Sequence, residues 1–219
     1  MTAPLRILIT GFEPFPGAPY NPTAPLVERL LQLRRPALSG VERAGHVFHV
    51  SYGAVDRDLP ALIATHAPDA MLMFGLAQRT PYLRVETRAR NRVTRLWPDA
   101  DHDATRGQTI APGGPTHLAF GTHALPLLQA ARATGIAAML SHDAGRYLCN
   151  YLSWMAIVAA RRQVRAPVVA FIHVPLVARP PAASTATGIG FEELVDAGEA
   201  LLTTMVKLAR RRTLVAASG

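Results

Sequence analysis

The sequence predicts a single α/β domain built on a doubly wound, mostly parallel sheet with helices on both faces. Short apolar runs, each ended by Gly or a polar turn, alternate along the chain with longer segments of helical periodicity. The run at 70–74, between Asp69 and Gly75, is apolar throughout, which is typical of a central parallel strand covered on both faces. With 219 residues, 49% of them hydrophobic, the chain can bury one substantial core. We therefore expect residues 1–219 to form one domain.

The first third of the chain supplies three strands and the two helices between them. A buried strand over 6–11 ends in a glycine turn, and a helix over 23–35 opens with a good cap and a proline. A strand at 46–50 leads into a helix from about 55 to 66, and the strand at 70–74 follows. This alternation is the order expected of a parallel sheet with crossover helices.

The middle of the chain is less regular. Residues 82–93 alternate loosely between apolar and polar and predict an extended segment, despite their arginines. Residues 94–117 are rich in Pro, Gly and Asp and predict a long polar loop, a feature that is usually functional or mobile in a compact domain. A helix over 122–134 and a strand over 136–140 follow.

The last third begins with a helix from near Cys149 to about 162. An apolar run over 168–174 ends in His173-Val174-Pro175 and predicts a buried strand with a histidine at its end. The stretch 180–188 predicts a flexible loop, and a helix over 191–212 completes the order.

The composition argues against several classes of protein. Cys149 is the only cysteine, so no intramolecular disulfide can form, and the N-terminal residues lack a secretory signal. No apolar stretch approaches the roughly 18 residues of a membrane helix. We therefore expect a cytoplasmic protein with no membrane partner.

Charge and motif spacing bear on nucleic acids and cofactors. The formal net charge of +8 would attract polyanions, but no zinc-ligand spacing or aromatic RNA-binding motif accompanies it. Two of the three arginine clusters, at 161–165 and 210–212, fall at predicted helix ends, where arginine complements the helix dipole. No metal-ligand spacing or phosphate loop is present either. We expect no nucleic-acid partner, no metal and no cofactor.

Cys149 and His173 are the candidate reactive residues. A thiol at a helix start is favoured as the thiolate, although a lone cysteine is more often a small buried apolar residue. A histidine at a strand end is likewise often structural. In an open parallel sheet the ligand site lies at the carboxyl ends of the strands, where both residues fall, together with the loops 11–17 and 75–78. Meeting there, thiol and imidazole could perform acyl transfer.

Three separated motifs resemble the pyroglutamyl peptidase I family, also called the pyrrolidone carboxyl peptidases. They are Gly-Phe-Glu-Pro-Phe at 11–15 with Asn-Pro-Thr at 21–23, Ser-His-Asp-Ala-Gly-Arg-Tyr-Leu-Cys-Asn at 141–150, and Phe-Ile-His-Val-Pro at 171–175. They cover nearly the whole chain in the family's order. The resemblance implies a cysteine exopeptidase that removes N-terminal pyroglutamate from peptides, and a homo-oligomer, dimer or tetramer.

The resemblance also implies roles for individual residues. Cys149 matches the nucleophile, His173 the general base and Glu86 the carboxylate that orients the histidine; without the resemblance, Glu86 would be interpreted as part of a solvated salt-bridge network. Attack of the thiolate on the pyroglutamyl carbonyl would give an acyl-enzyme that water hydrolyses. The proposed substrate-binding residues, among which Leu76 is taken from its place after the third strand, are Phe12, Phe15, Asn21, Leu76, Tyr147 and Leu148.

The chain departs from the family's pattern in one loop that bears on specificity. Where most members have Ala-Gly-Gly-Arg after the third strand, this chain has Ala77-Gln78-Arg79-Thr80. Two alternatives therefore stay open at this point. One is a diverged triad hydrolase acting on another small N-acyl amide, and the other is a non-catalytic binding protein with the same fold.

Overall fold

The structure, a computed structural model, describes residues 4–15, 17–103, 107–177 and 188–217. The predicted loop at 180–188 thus lies outside the described residues, apart from Gly188. The described elements are, in chain order, β1 (Leu5–Phe12), α1 (Thr23–Gln32), a 3₁₀ turn (Pro36–Leu38), β2 (Val41–Phe48), α2 (Tyr52–His66), β3 (Ala70–Leu76), β4 (Leu83–Glu86), β5 (Arg88–Arg90), β6 (His117–Ala119), α3 (Ala124–Ala133), β7 (Ala138–Ser141), α4 (Leu148–Arg161), β8 (Val168–Val174) and α5 (Phe191–Ala217).

The predicted fold class is confirmed. Six strands form one sheet in the order β2-β1-β3-β8-β4-β7, and β5 pairs with β6 in a separate antiparallel ribbon. The strands β1, β2, β3 and β8 are parallel to one another. β4 runs antiparallel to β8, and β7 is parallel to β4, so these two strands run opposite to the rest.

Helices cover both faces of the sheet. Ile7 and Ile9 of β1 face a core built with α1, α3 and α5, whereas Leu8 faces a second core built with α2, α4 and the β5–β6 ribbon. β3 divides in the same way, with Leu72 in the first core and Met73 in the second. The continuous apolar run at 70–74 therefore reflects a strand buried on both faces.

Several boundaries differ from the predictions for local reasons. α1 ends at Gln32 instead of residue 35, because Leu33 is already extended and Arg35 precedes Pro36, which disfavours helical backbone. β2 begins at Val41, earlier than the predicted strand at 46–50, because this edge strand is only partly buried and has a weak apolar pattern.

The extended segment predicted over 82–93 is divided at Thr87 into β4 and β5. The end of the predicted loop at 94–117 enters β6, which pairs with β5. None of the helices in the described part of the chain is both long and apolar enough to span a membrane.

Candidate active site

Glu86 and His173 form a buried hydrogen-bonded pair. The antiparallel neighbours β4 and β8 bring Arg84 opposite His173 and Val85 opposite Ile172. This pairing places Glu86 near His173, and the Oε1 atom of Glu86 lies 2.7 Å from Nδ1 of His173. Glu86 is 1% exposed and His173 5% exposed, so little solvent competes for the contact. The carboxylate therefore fixes the orientation of the imidazole and leaves its Nε2 atom for another partner.

Cys149 is the second residue of α4, which begins at Leu148 with Tyr147 as its cap residue. No side-chain hydrogen bond caps this helix. A backbone bond of 3.0 Å runs from the N–H of Tyr151 to the carbonyl of Tyr147, and the N–H groups that come earlier in a helix have no acceptor within it. The thiol thus lies at the positive end of the helix dipole, as the sequence predicts.

The imidazole of His173 is held between Cys149 and Glu86. Burial by itself lowers the pKa of His173, because the charged ring loses hydration. The charges of Cys149 and Glu86 and their hydrogen bonds to the ring outweigh this effect and raise the pKa of His173 to about 9. The ring of Phe171 lies against the imidazole with the centroids 5.0 Å apart. The site therefore favours a positively charged imidazole beside the sulfur at neutral pH.

The route by which Cys149 reaches the site differs from the expectation. β7, the strand before it, runs antiparallel to β8, so the carboxyl end of β7 is not at the edge where β1, β3 and β8 end. Residues 142–147 carry the chain back to that edge. Within this return, Gly145 has a φ of +82°, which glycine adopts without strain, and its N–H donates to Oδ1 of Asp143 over 3.0 Å.

Arg84 connects the return segment to the Glu86–His173 pair. Its guanidinium lies 3.0 Å from Oε1 of Glu86 and donates over 2.7 Å to Oγ of Ser141. The same NH2 group also donates to the carbonyl oxygen of Asp143. One arginine thus contacts both the buried carboxylate and the segment that leads to Cys149.

These groups open onto a cavity of about 840 Å³ at the carboxyl ends of β1, β3 and β8. Cys149 and His173 line the cavity, whereas Glu86 lies behind them. All six residues that were predicted to bind substrate also line this cavity, namely Phe12, Phe15, Asn21, Leu76, Tyr147 and Leu148.

Asn21 contributes mainly by shaping the first loop. It is buried, and its Oδ1 atom accepts hydrogen bonds from the N–H and the hydroxyl of Thr23, at 3.1 and 2.9 Å. Its Nδ2 atom donates to the carbonyl of Glu13 over 3.2 Å. These bonds tie the turn after β1 to the start of α1, which keeps Phe12 and Phe15 at the cavity wall.

Gly75 leaves room for the sulfur of Cys149. A Cβ atom at this position would lie 2.7 Å from the sulfur of Cys149 and 2.7 Å from Cζ of Phe171. Both distances are shorter than any relaxed carbon contact, so only glycine fits here with the thiol in place.

The 94–103 part of the long loop supplies one side of the cavity. The hydroxyl of Tyr147 donates to the carbonyl of Pro98 over 3.0 Å, and Oδ2 of the buried Asp99 accepts from the N–H of Tyr52 over 2.9 Å. Trp97, 60% exposed, lines the cavity next to these anchors. The loop is therefore fixed at the two residues that directly follow an exposed tryptophan.

Sequence reasoning missed Arg84 and Trp97 at this site. Arg84 was treated only as one of the arginines of the extended segment 82–93. Alternation along a strand places residues two apart on one face, and this spacing relates Arg84 to Glu86. Trp97 was placed in a polar loop, and no local pattern indicates that this loop reaches the cavity.

The arrangement has the groups that acyl transfer requires: a thiol at a helix start, an imidazole in contact with it and a carboxylate behind the imidazole. Within the described ranges, no group of three or more His, Cys, Asp or Glu side chains is arranged to hold a metal ion.

Comparison with known proteins finds relatives that all bear the name of one kind of peptidase. The family model described as pyroglutamyl peptidase matches residues 5–207. The pyrrolidone-carboxylate peptidase of Vibrio vulnificus is 34% identical over 207 residues, covering 92% of this chain and 93% of that protein. The pyrrolidone-carboxylate peptidase of Thermococcus onnurineus is 30% identical over 206 residues, covering 93% of this chain and all of that protein.

Solved structures agree with the fold. The pyrrolidone carboxyl peptidase of Thermus thermophilus superposes with a TM-score of 0.76 at 28% identity, covering 90% of this chain and 99% of that one. The pyrrolidone carboxyl peptidase of Thermococcus litoralis gives a TM-score of 0.84 at 24% identity, covering 94% and 96% of the two chains. The second likeness bears on the fold alone.

Proposed function

The chain belongs to the pyroglutamyl peptidase family of cysteine-type omega peptidases, and we propose that it removes N-terminal pyroglutamate through a Cys149-His173-Glu86 triad and an acyl-enzyme. The observation that carries the proposal is the continuous contact from the thiol of Cys149 to the imidazole of His173 and on to Oε1 of Glu86, 2.7 Å from Nδ1. This contact joins three segments that are far apart in sequence.

The reaction follows from these contacts. The sulfur of Cys149 attacks the pyroglutamyl carbonyl carbon, and the amide bond breaks as protonated His173 gives its proton to the leaving amine. Water, deprotonated by His173, then attacks the thioester, which releases pyroglutamate and restores the thiol. Glu86 keeps the imidazole in the orientation that both proton transfers need.

The oxyanion of each tetrahedral intermediate is stabilised by backbone N–H groups at the start of α4. The helix has no side-chain cap, so these donors remain available to a ligand. Donors aimed at the developing charge typically contribute a factor of about 10² to 10³ each in rate.

The pyrrolidone ring is neutral, and an apolar wall suits it better than it suits a charged N-terminus, which would lose its hydration. Phe12, Phe15, Leu76 and Tyr147 provide such a wall beside Cys149. Hydrogen bonds to the ring N–H and C=O distinguish pyroglutamate from proline, which lacks the ring carbonyl.

The nucleophile requires a free thiol, and we propose that the protein works in the reducing cytoplasm. We also propose a homo-oligomer. The homo-oligomer is supported by an exposed apolar surface at the edge of the sheet. Met139 and Leu140 of the edge strand β7 are 49% and 40% exposed, and Leu125 of the adjacent helix α3 is 53% exposed. Light scattering after size-exclusion chromatography gives the mass directly, and a monomer at micromolar concentration would contradict this proposal.

The test of the activity is release of a fluorophore from a pyroglutamyl amide under reducing conditions. Prolyl and alanyl amides serve as substrate controls, and Cys149→Ala serves as the variant without a nucleophile. Selective cleavage that is lost in Cys149→Ala would support the proposal. No cleavage by the native chain, with Cys149 alkylated rapidly, would contradict it and point to a different N-acyl amide.

A further inference from the structure

The cavity in front of Cys149 has an apolar part and a basic part. The apolar part adjoins a second cavity of about 530 Å³, and the two cavities share the side chains of Phe15, Leu76, Trp97 and Tyr147. Among the described residues, no arginine lines this second cavity. Three arginines line the larger one, at positions 79, 84 and 146. A neutral pyrrolidone ring fits the apolar part, which leaves the basic part for the rest of the peptide.

Two of these arginines have no acidic partner. Within the described residues, neither Arg79 nor Arg146 forms a side-chain hydrogen bond or an ion pair, and both are exposed at the cavity mouth. Arg84 differs, because its guanidinium is held by Glu86 at 3.0 Å and by Ser141 at 2.7 Å. Arg79 and Arg146 therefore present their charges to a ligand, whereas Arg84 belongs to the catalytic arrangement.

No free carboxylate in the cavity wall offsets this charge. Among the described residues, Asp143 is the one Asp or Glu that lines the larger cavity. Its Oδ2 atom lies 3.0 Å from the guanidinium of Arg90, and its Oδ1 atom accepts from the N–H of Gly145 over 3.0 Å. The charge of Asp143 is thus compensated outside the cavity.

Arg79 and Arg146 reach the cavity from two different segments, and both segments contact or adjoin Cys149. Arg79 follows β3, whose Gly75 lies against the sulfur of Cys149, and Arg146 comes just before α4, three residues ahead of Cys149. The loop of Arg79 is held by a bond of 2.8 Å from Nε2 of Gln78 to the carbonyl of Gly17. Both guanidinium groups therefore belong to the wall of the cavity that contains Cys149, where a peptide that leaves the acyl site toward solvent can contact them.

We propose that Arg79 and Arg146 form a carboxylate-binding subsite for the leaving peptide, so that the chain prefers pyroglutamyl peptides with a negative charge just beyond the scissile bond. This inference rests on the proposed function and specifies its substrate class. The guanidinium fork matches carboxylate geometry, and the charge can come from an acidic side chain or from the C-terminal carboxylate of a very short peptide.

The experiment compares kcat/KM for four peptides of similar size. They are pyroglutamyl-Ala-Ala amide as neutral reference, pyroglutamyl-Glu-Ala amide, pyroglutamyl-Ala-Ala with a free carboxylate, and pyroglutamyl-Lys-Ala amide. An exposed ion pair changes affinity by about twofold to fivefold, so we expect one or both acidic peptides to exceed the reference by about 2- to 5-fold and the lysine peptide to fall below it. The two acidic peptides distinguish the two sources of the carboxylate.

The variant that tests the assignment is Arg79→Gln with Arg146→Gln. Arg34→Gln with Arg162→Gln, at two exposed arginines outside the cavity, is the control matched for the loss of two positive charges. The double variant should cleave the reference at a rate within about twofold of the native chain and lose the acidic preference. About 0.5 M NaCl should reduce the preference in the native chain, since the Debye length is then about 4–5 Å.

The outcomes separate the two proposals. If the native chain cleaves the neutral reference but treats all four peptides alike, or if the double variant keeps the preference, the subsite is wrong and the peptidase activity stands. If the native chain cleaves none of the four while Cys149 is alkylated rapidly, both proposals are overturned.

Discussion

Arg84 and His173 both approach the Oε1 atom of Glu86, which lies 3.0 Å from the guanidinium of Arg84 in an ion pair and 2.7 Å from Nδ1 of His173 in a hydrogen bond. Two cationic groups thus converge on one buried carboxylate oxygen. Arg84 also contacts Ser141 and Asp143 in the segment that leads to Cys149. We therefore infer that Arg84 is a positioning residue, because it connects the carboxylate to the segment that precedes Cys149.

Replacing Arg84 by Gln should lower kcat by about tenfold, because both Glu86 and the 141–145 segment lose a charged hydrogen-bond donor. Arg84→Lys is the matched variant, since it keeps the charge but not the fork that reaches Ser141 and Asp143, and it should recover part of kcat. Steady-state kinetics on a neutral pyroglutamyl amide separates kcat from KM. An unchanged kcat in Arg84→Gln would exclude the positioning role.

Replacing Glu86 by Gln should reduce kcat by about 10²- to 10⁴-fold, as loss of the orienting carboxylate does in other triads. Glu86 raises the pKa of His173, so its removal should shift the alkaline limb of the pH–rate profile to lower pH, where the imidazole now loses its proton. The pH dependence of kcat/KM measures this shift. A loss of rate with an unmoved alkaline limb would contradict the assigned contact.

Replacing Gly75 by Ala should displace the sulfur of Cys149, because the new methyl group would lie 2.7 Å from both this sulfur and the ring of Phe171. We expect kcat to fall by at least tenfold, with a loss of about 1–3 kcal/mol in the free energy of unfolding. Alkylation rate and urea unfolding, measured on the same sample, separate the two effects. A variant with native alkylation and native kcat would show that the strand has room for the methyl group.

Replacing Tyr147 by Phe should weaken substrate binding more than chemistry. The ring stays at the cavity wall, but the hydroxyl no longer donates to the carbonyl of Pro98, and the loop with Trp97 loses one anchor. We expect KM to rise a few-fold with kcat changed by less than twofold. A proportional fall of kcat with unchanged KM would place the effect in the chemical step.

His123 should make stability depend on pH below neutrality. Burial lowers the pKa of His123, while a 2.7 Å hydrogen bond from its Nε2 atom to the carbonyl of Val169 opposes the shift. The unfolded chain therefore binds a proton more readily than the folded one. The stability is fully present above the ordinary histidine pKa of about 6.5 and is lost as pH falls from there through the lowered pKa, by at most about 1.4 kcal/mol per pH unit.

The check is urea unfolding between pH 5 and 7.5 for the native chain and for His123→Gln, which cannot gain the proton and can still donate to Val169. The variant should show a smaller change across this range. Equal pH dependence in both proteins would assign it to other groups.

Cys149 and His173 could be selected from the sequence alone, because each has a signal in its local sequence. Cys149 lies where a loop enters a helix, and His173 ends an apolar run; both signals are short-range. Glu86 has no such signal, because its partner is 87 residues away and depends on the antiparallel register of β4 and β8. Its assignment came from the resemblance to the family.

Strand direction was the main feature that periodicity could not give. An apolar run of four or five residues, such as the one that became β7, is compatible with either direction, and the carboxyl-end rule assumes the parallel one. Arg84 was missed for the same reason, because an arginine in an extended segment carries no information on which strand it will face.

The position of β8 has a consequence for how the protein forms during synthesis. β8 comes last of the eight strands along the described chain, yet it lies between β3 and β4 in the sheet. Before it emerges from the ribosome, the nascent chain can form only two separate pieces, β2-β1-β3 and β4-β7, each with an open apolar edge that invites aggregation. Insertion of β8 closes both edges and delivers His173 in the same step, so the contact between His173 and Cys149 cannot form until the sheet is complete.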